Sequence, residues 1–302
     1  MSGAAKVVLV TGASGFIGHA LVDALQQQGF AVRAIGRTPV AGVEWRHGDL
    51  NDPDSLRGCC AGVEAICHLA GAAHVQAPRA VHERLTVMGT RALLGEARDA
   101  GVRSFVLVSS IKAVSGTDDY AQTRRAAEAL VLAESALVGH VVRPALVYGP
   151  GMKGNLARLL ALADHPLPLP IPRGVALRSL VHRDDVAAVI VALLARTERC
   201  APWVVSDGQA YTLWDIYAQM RKACGRRVVP VHLPKGSLPA LAHMGDWLGR
   251  RCHRRLPFDT QALQPLLEPC HVEDARVWDT LHLTPRYTLA QALAGVIGDR
   301  HG

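Results

Sequence analysis

The first half of the chain alternates short apolar runs with longer stretches whose apolar positions recur at helical spacing. The run Val7–Val10 is β-branched and predicts a buried strand, and Ala20–Leu25 after it has the periodicity of a helix. Further strands are predicted at Ala31–Arg37, Val43–Leu50, Ala65–Ala72, Ser104–Ser110 and Val138–Leu146, and further helices after Asn51-Asp52-Pro53, at Arg84–Ala100 and at Ala121–Ser135. This alternation predicts an α/β fold with a doubly wound parallel sheet.

Three glycines at regular spacing connect the first strand to the first helix. Gly12 suits a tight turn, Gly15 leaves room for a phosphate, and Gly18 lets the helix pack closely. The first turn of a helix also presents unpaired N–H groups to an anion. A tight turn that binds nothing is the alternative. The position between a clear strand and a clear helix favours a binding site for the pyrophosphate of a dinucleotide.

The regular alternation of predicted strands and helices ends after Gly151. Residues 166–172 carry a proline at every second position, which excludes a helix there. Helices are predicted again at Asp184–Ala195 and Leu213–Cys224. We expect a dinucleotide-binding domain over residues 1–150 and a smaller α/β substrate lobe over 151–302, with a segment near 175–205 returning to the first domain.

The composition indicates what kind of protein this is and what kind of ligand it binds. Of the 302 residues 49% are hydrophobic, which allows a large core, and no apolar run is long enough to span a membrane. The seven scattered cysteines predict free thiols in the cytoplasm and no bound metal. The net charge of +7 favours an anionic metabolite. Nucleic acid is not expected, because aromatic residues make up only 5% of the chain and do not accompany the arginine pairs.

The end of the second strand bears on the choice of dinucleotide. An acid usually stands there for the ribose hydroxyls of NAD, whereas this chain has Gly36 followed by Arg37. The guanidinium of Arg37 can pair with a 2′-phosphate, and Arg33 is placed to assist it. We therefore expect NADP, with NAD as the alternative. Asp49, after the third strand, is expected to accept hydrogen bonds from the adenine amino group.

A tyrosine before the predicted helix Ala121–Ser135 supplies candidate chemistry. Tyr120 and Arg124 are four residues apart and share one helix face, where a cation favours the phenolate. Ser110, at the end of the preceding strand, is placed to hydrogen-bond the same substrate oxygen. An exposed tyrosine beside a solvated arginine pair is the alternative, and the residue types alone do not decide between the two.

Together the motifs resemble those of the extended short-chain dehydrogenase/reductases, in particular the NAD(P)-dependent nucleotide-sugar epimerase, dehydratase and reductase group. The matching segments are Thr11–Gly18, Gly48–Leu50, His68–Gly71, Gly89-Thr90, Ser109–Lys112, Tyr120 with its helix, Val142–Pro144, Val147–Asn155 and Arg178–His182. They look most like bacterial enzymes that act on UDP-N-acetylhexosamines for surface polysaccharides such as lipopolysaccharide. The resemblance implies a Rossmann-type fold, an oxidoreductase or epimerase acting at C4 of a nucleotide sugar, and a homodimer.

The resemblance also implies roles for individual residues. Tyr120, Ser110 and Arg124 would be catalytic. The cofactor would be bound by Gly12, Ser14, Gly15, Phe16, Ile17, Gly18, Arg37, Asp49, Leu50, Leu69, Ala70, Gly71, Arg124 and Pro144. The substrate would be bound by His74, Lys112, Arg143, Asn155 and Arg178, with Arg178 directed at the pyrophosphate.

Three features depart from the family pattern. Arg124 stands where the family has a lysine that bonds the nicotinamide ribose, and arginine cannot give up its proton in a relay. Ser110 and Tyr120 lie close together in sequence, and Thr86 replaces the usual asparagine. Two alternatives stay open: a reductase of a non-sugar carbonyl, such as a sterol- or flavonoid-type compound, and an NADP-binding sensor or scaffold with weakened catalysis.

Overall fold

The chain folds into two compact units. The computed structural model describes residues 5–71, 78–168, 171, 176–230, 243, 246, 247, 250, 251 and 270–301. The first unit comprises Met1–Ala145, Arg183–Ser206 and Asp274–Arg286, and the second comprises Leu146–His182, Asp207–Glu273 and Tyr287–Gly302. The chain therefore leaves the first unit and returns to it twice.

Strands and helices alternate along most of the described chain. The strands are β1 (Val7–Thr11), β2 (Ala31–Gly36), β3 (Glu44–His47), β4 (Ala65–His68), β5 (Ser104–Val108), β6 (Val138–Pro144), β7 (Leu146–Tyr148), β8 (Leu180–His182) and β9 (Trp203–Val205). The helices are α1 (Phe16–Gln27), α2 (Arg79–His82), α3 (Gly89–Asp99), α4 (Lys112–Ser115), α5 (Asp119–Ala133), α6 (Gly154–Asp164), α7 (Arg183–Leu193), α8 (Leu213–Ala223), α9 (Arg276–Leu281) and α10 (Leu289–His301). A π-helical stretch, Glu83–Met88, joins α2 to α3 without a break.

A seven-stranded sheet forms the centre of the first unit, in the order β3-β2-β1-β4-β5-β6-β9, and its neighbouring strands are parallel. Thr11 at the end of β1 pairs with Ile35 on β2 and with His68 on β4. β1 thus lies where the strand order reverses, and α/β sheets bind ligands at the carboxyl ends of the strands at that point. The predicted doubly wound parallel sheet is confirmed.

Helices cover the sheet and account for its apolar strands. Leu93 of α3 and Ala127 and Val131 of α5 pack in one core with Ile66 of β4 and Phe105 of β5. Every residue of β4 and β5 is buried, as parallel strands between two layers of helices require. This explains why the central strands are continuous apolar runs rather than alternating ones.

The second unit has a core of its own. β7 and β8 form a short parallel pair in which Tyr148 lies opposite His182. Leu159 of α6, Tyr217 of α8 and Leu293 of α10 pack together in this core. That the unit binds a substrate remains a prediction.

Some predicted boundaries need correction. After Asn51-Asp52-Pro53 the chain forms a single 3₁₀ turn, Pro53–Leu56, because the backbone leaves helical geometry at Arg57 and Gly58 takes a φ of +64°. The helix expected to begin at Arg84 begins at Arg79. Part of the proline-rich segment, like Ala72, lies outside the described residues. Of the helices that the structure describes, none is both long and apolar enough to cross a membrane.

Candidate active site

The turn after β1 forms a cradle of bare backbone. Gly12 has a φ of +72°, and a Cβ there would lie 2.9 Å from the backbone nitrogen of Ala70. The N–H of Gly15 donates to the carbonyl of Gly12 over 2.9 Å. A Cβ on Gly18 would overlap the carbonyl oxygens of Gly12 and Ala13. No side chain caps the start of α1, so its first N–H groups suit an anion, as the glycine pattern predicts.

The next predicted cofactor residues lie along the start of α1. Ser14 is exposed, and Phe16 and Ile17 are half-buried in the first turn of the helix. The guanidinium carbon of Arg183, at the start of α7, lies 5.6 Å from the centroid of the Phe16 ring. This contact orients Phe16 beside the glycine turn.

Arg37 and Arg33 have different surroundings. Arg37 is exposed directly after β2, and within the described part of the chain it has no hydrogen-bond or ion-pair partner. Nε of Arg33 donates to Oε1 of Glu44 over 2.7 Å, and Nη1 donates to the carbonyl of Ala61 over 2.7 Å. Glu44 on the adjacent strand thus holds the guanidinium of Arg33, and the expectation that Arg33 assists a 2′-phosphate stays a prediction.

Asp49 and Leu50 follow β3 in a loop beside the helix α3. Oδ1 of Asp49 accepts the backbone N–H of Asn51 over 2.9 Å and the Asn51 amide over 3.1 Å, which fixes the carboxylate. Leu50 is half-buried, and its side chain lies so close to Gly89 that a Cβ there would be 2.9 Å away. At the end of β6, the carbonyl of Pro144 accepts the N–H of Ile111 over 2.9 Å.

Behind the glycine turn, His68 links β4 to β1 and α3. Oγ1 of Thr11 lies 2.6 Å from Nδ1 of His68, and Oγ1 of Thr90 lies 3.1 Å from Nε2. The hydroxyl of Thr90 donates its proton to the carbonyl of Thr86. Its oxygen therefore accepts a hydrogen bond from Nε2–H of His68, and Nδ1 of His68 accepts one from the hydroxyl of Thr11. Burial, and after it the charge of Arg124, lowers the pKa of His68 to about 3. His68 is therefore a neutral structural residue.

Tyr120, Ser110 and Arg124 lie between the end of β5 and the first turns of α5. Tyr120 is half-buried, and the guanidinium carbon of Arg124 lies 5.1 Å from its ring centroid. Arg124 is 3% exposed, and its Nη1 donates to the carbonyl of Val108 over 3.1 Å. Ser110 follows β5, and its Oγ accepts the N–H of Lys112 over 3.3 Å.

The buried cation of Arg124 lacks a full set of partners. Its Nε is enclosed without a hydrogen-bond partner, and no carboxylate among the described residues pairs with it. A Cβ on Gly71 would lie 3.1 Å from Nη2, so bare backbone faces the guanidinium. Burying an unpaired charge is costly. The orphaned nitrogen and the glycine cradle fit the polar nicotinamide end and the pyrophosphate of a bound dinucleotide.

A histidine that the sequence reasoning missed contacts Tyr120. His82, the last residue of α2, packs edge-on against the Tyr120 ring with centroids 6.0 Å apart. Asp118 caps α5, accepting the N–H of Ala121 over 2.7 Å and Nζ of Lys112 over 3.1 Å. Burial acts to raise the pKa of Asp118, but these two partners outweigh it and hold that pKa below its usual value. No sequence motif marks His82, because its contact with Tyr120 arises from helix packing.

Arg143, predicted to bind substrate, is instead held by a buried carboxylate. Its Nε donates to Oε1 of Glu128 over 3.0 Å, and its Nη2 bonds Oε2. Glu128 is 3% exposed and also accepts the hydroxyl proton of Ser109. Arg143 therefore balances the charge of Glu128 in this structure, and its role in substrate binding stays a prediction. The only sequence signal for Glu128 is its place on the same face of α5 as Tyr120 and Arg124.

The other predicted substrate residues fall in different parts of the chain. Lys112 lies in α4 of the first unit, beside Asp118. Asn155 is exposed at the start of α6 in the second unit. Arg178, also in the second unit, is buried and exchanges backbone hydrogen bonds with Tyr211. His74 lies outside the described residues. Within the described ranges no cluster of His, Cys, Asp and Glu could hold a metal ion.

A comparison of the sequence with known protein families identifies the family of this chain. Residues 8–205, which contain the glycine turn and the Tyr120 helix, match the model of the NAD dependent epimerase/dehydratase family. The chain belongs to this family. It is an NAD(P)-dependent enzyme of the extended short-chain dehydrogenase/reductase class.

The names of individual relatives indicate different substrates. "Ceramide reductase" of Caulobacter vibrioides is 34% identical over 80% of this chain and 78% of its own length. "UDP-glucose 4-epimerase" of Vibrio cholerae is 30% identical over 67% of this chain and 71% of its own length. The solved UDP-glucose 4-epimerase of Thermus thermophilus, in complex with NAD, is 20% identical, with a TM-score of 0.76 over 98% of this chain and 99% of that one. The last similarity shows a shared fold.

Proposed function

We propose that this enzyme transfers a hydride between NADP and a ketone or secondary alcohol, with Tyr120 as its general acid and base. One observation carries the proposal. The buried guanidinium of Arg124 lies 5.1 Å from the Tyr120 ring and keeps its Nε without a partner beside the bare backbone of Gly71. Most buried polar groups that serve only the fold have a hydrogen-bond partner within the protein.

The first unit holds the residues that would bind the cofactor. The glycine turn and the start of α1 suit the pyrophosphate, Asp49 suits the adenine, and Arg124 suits the nicotinamide ribose. Arg37, exposed and without a partner among the described residues, suits the 2′-phosphate of NADP. When bound, NADPH supplies the hydride for the reduction of the substrate.

The hydroxyl groups of Tyr120 and Ser110 would bind the substrate oxygen and transfer its proton. In the direction of reduction, Tyr120 donates its O–H proton to the oxygen that gains negative charge, and Ser110 donates a hydrogen bond to the same oxygen. The charge of Arg124 stabilises the phenolate that remains on Tyr120. In the direction of oxidation, the phenolate accepts the proton of the alcohol.

A nucleotide sugar is the first candidate substrate. Reaction at C4 of a UDP-N-acetylhexosamine, for surface polysaccharide synthesis, is consistent with the net charge of +7. It is also consistent with the relative named UDP-glucose 4-epimerase. Asn155 and Arg178 of the second unit would bind the nucleotide in this case, and the enzyme would act as a cytoplasmic homodimer.

A ketone on a long apolar chain is the second candidate substrate, and two observations favour it. Glu128 pairs with the guanidinium of Arg143, which makes this cation less available to a nucleotide sugar. The relative named ceramide reductase matches this chain at higher identity, and over a larger share of it, than the epimerase does.

The absorbance of NADPH during turnover tests both candidates. The wild-type enzyme is offered a UDP-4-keto-sugar and, separately, a long-chain ketone, and the proposal expects NADPH oxidation with one of them. Tyr120→Phe should bind NADPH equally well and lose about 10²- to 10⁴-fold in kcat. Tight NADPH binding without turnover of either ketone would instead favour a cofactor-binding sensor or scaffold.

A further inference from the structure

Two segments of the second unit lie side by side because one buried arginine binds both. Arg221 of α8 is 2% exposed. Its Nε donates to the carbonyl of Arg227 over 2.9 Å, and its Nη2 donates to the carbonyl of Pro166 over 3.4 Å. The residues that follow these two carbonyls, Leu167 and Val228, are therefore held in the same region of the surface.

The two segments expose large apolar side chains. Leu167 is 71% exposed, and Val228 and Val229 are 40% and 42% exposed. Prolines on both sides of Leu167 restrict its backbone, and its N–H donates to Nδ1 of His165 over 3.2 Å. A single exposed apolar side chain is ordinary, but three in one place form an apolar surface that the fold leaves unburied.

Cations border this apolar surface. Arg226 and Arg227 are exposed directly before the two valines, and Lys222 is exposed in the last turn of α8. Arg226 pairs with Asp164 over 3.1 Å, whereas the guanidinium of Arg227 has no hydrogen-bond or ion-pair partner within the described part of the chain. A groove of about 350 Å³ lies between the two segments, and the described residues that line it include arginines but no carboxylate.

This combination of side chains selects among partners. We call Leu167, Arg226, Arg227, Val228 and Val229 the Leu167 patch. A second copy of the chain would bring like charges together at the patch, and a soluble anion would leave the exposed leucine unused. An anionic bilayer matches both features, because it presents phosphate at its surface and hydrocarbon beneath.

We propose that the Leu167 patch docks on the surface of an anionic membrane. Leu167 and the two valines enter the boundary between headgroups and acyl chains, and Arg227 contacts lipid phosphate. Docking of this kind needs no membrane-spanning helix. It is independent of the chemistry at Tyr120, and it brings the enzyme to the surface into which ketones with long apolar chains partition.

Flotation of the full chain with lipid vesicles tests the proposal. The wild-type protein should float with vesicles of phosphatidylcholine and phosphatidylglycerol in equal parts, but not with vesicles of phosphatidylcholine alone. A rise in salt from about 0.1 M to about 1 M should weaken the binding, since salt screens the attraction between arginine and lipid phosphate. Tyr120→Phe should bind the vesicles as the wild type does, which separates docking from catalysis.

Two pairs of matched variants locate the binding surface. Val229→Asp should weaken vesicle binding by roughly tenfold or more, whereas Val114→Asp, at a valine of α4 that is also 42% exposed, should not change it. Arg227→Glu should likewise weaken binding by roughly tenfold. Arg98→Glu, at an exposed arginine of α3, changes the net charge equally and should keep binding within about twofold of the wild type.

The outcomes separate docking from other roles of the patch. All four variants replace exposed side chains, so each should keep the wild-type Tm within about 2 °C. Equal binding to neutral vesicles, or equal losses in the patch and control variants, would overturn the proposal. Wild-type protein that ignores anionic vesicles but forms a dimer that Val229→Asp dissociates would assign the patch to a second copy. Vesicle binding without turnover of any ketone would overturn the proposed function alone.

Discussion

At the scale of single residues, spacing predicted the contacts made within one helix but not those made between elements. Tyr120 and Arg124 share a helix face because they are four residues apart, and the structure brings ring and guanidinium together. The partner of Arg143 lies on α5, and that of Arg33 lies on a neighbouring strand. Such pairings depend on how helices and strands pack, so residue type alone did not predict the protein partner of either arginine.

Arg37 should select for the 2′-phosphate of NADP. Arg37→Ala is expected to weaken NADPH binding by roughly 10- to 100-fold, because a charge-assisted hydrogen bond to phosphate is lost, and to change NADH binding little. Calorimetric titration with both cofactors measures this. Arg98→Ala, which removes an exposed arginine at the end of α3, is the control for net charge. An equal loss for both cofactors would refute the NADP preference.

The positive charge at position 124, rather than the shape of its guanidinium, should matter most for catalysis. Arg124→Lys keeps a cation four residues after Tyr120 and should stay within about tenfold of the wild-type kcat, whereas Arg124→Ala should lose about 100-fold or more. Steady-state kinetics at saturating NADPH compares the two variants. An alanine variant as active as the lysine variant would show that Tyr120 works without a neighbouring cation.

At the scale of elements, the sequence revealed long periodic segments and missed short ones. The central strands and α1, α3 and α5 follow from their periods, and the glycine turn follows from its position between β1 and α1. β7, β8 and β9 have three residues each, which is too few to show any period. The π-helical stretch before α3 also has no sequence signature, since it depends on packing against α5.

Two glycines in helices should respond oppositely to alanine. A Cβ on Gly18 would overlap the carbonyls of Gly12 and Ala13, so Gly18→Ala should distort the turn, lower stability and weaken cofactor binding. Gly95 in α3 has open space around it, so Gly95→Ala should stabilise by about 0.5–1 kcal/mol and leave cofactor binding unchanged. Urea unfolding and cofactor titration compare the variants. Matching effects at the two positions would contradict the close approach at Gly18.

At the scale of the whole molecule, buried neutral histidines couple stability to pH. The pKa of His68 is lowered to about 3, first by burial and then by Arg124, and burial also lowers the pKa of His140. Histidine in an unfolded chain titrates near pH 6.5, so below that pH the unfolded state binds more protons than the folded one. Stability present above about pH 6.5 is therefore lost as the pH falls.

Urea unfolding between about pH 7 and pH 5 measures how the unfolding free energy depends on pH. Carboxylates titrate below this interval, so they contribute little to the result. His68 should contribute a loss of about 1.4 kcal/mol in unfolding free energy per pH unit below its unfolded pKa. His68→Asn should fold with lower stability, and its unfolding free energy should fall less steeply with decreasing pH, by the contribution of His68. An unchanged slope would show that His68 takes up a proton in the folded protein.

The most direct test of the account follows one hydrogen atom. NADPH deuterated at the transferred position is incubated with the enzyme and a UDP-4-keto-sugar or a long-chain ketone, and the product is analysed by mass spectrometry. Hydride transfer supported by Tyr120 predicts one deuterium at the new alcohol carbon with the wild-type enzyme, and labelled product formed about 10²- to 10⁴-fold more slowly with Tyr120→Phe. Product without deuterium, or labelling in Tyr120→Phe at the wild-type rate, would contradict the proposed function.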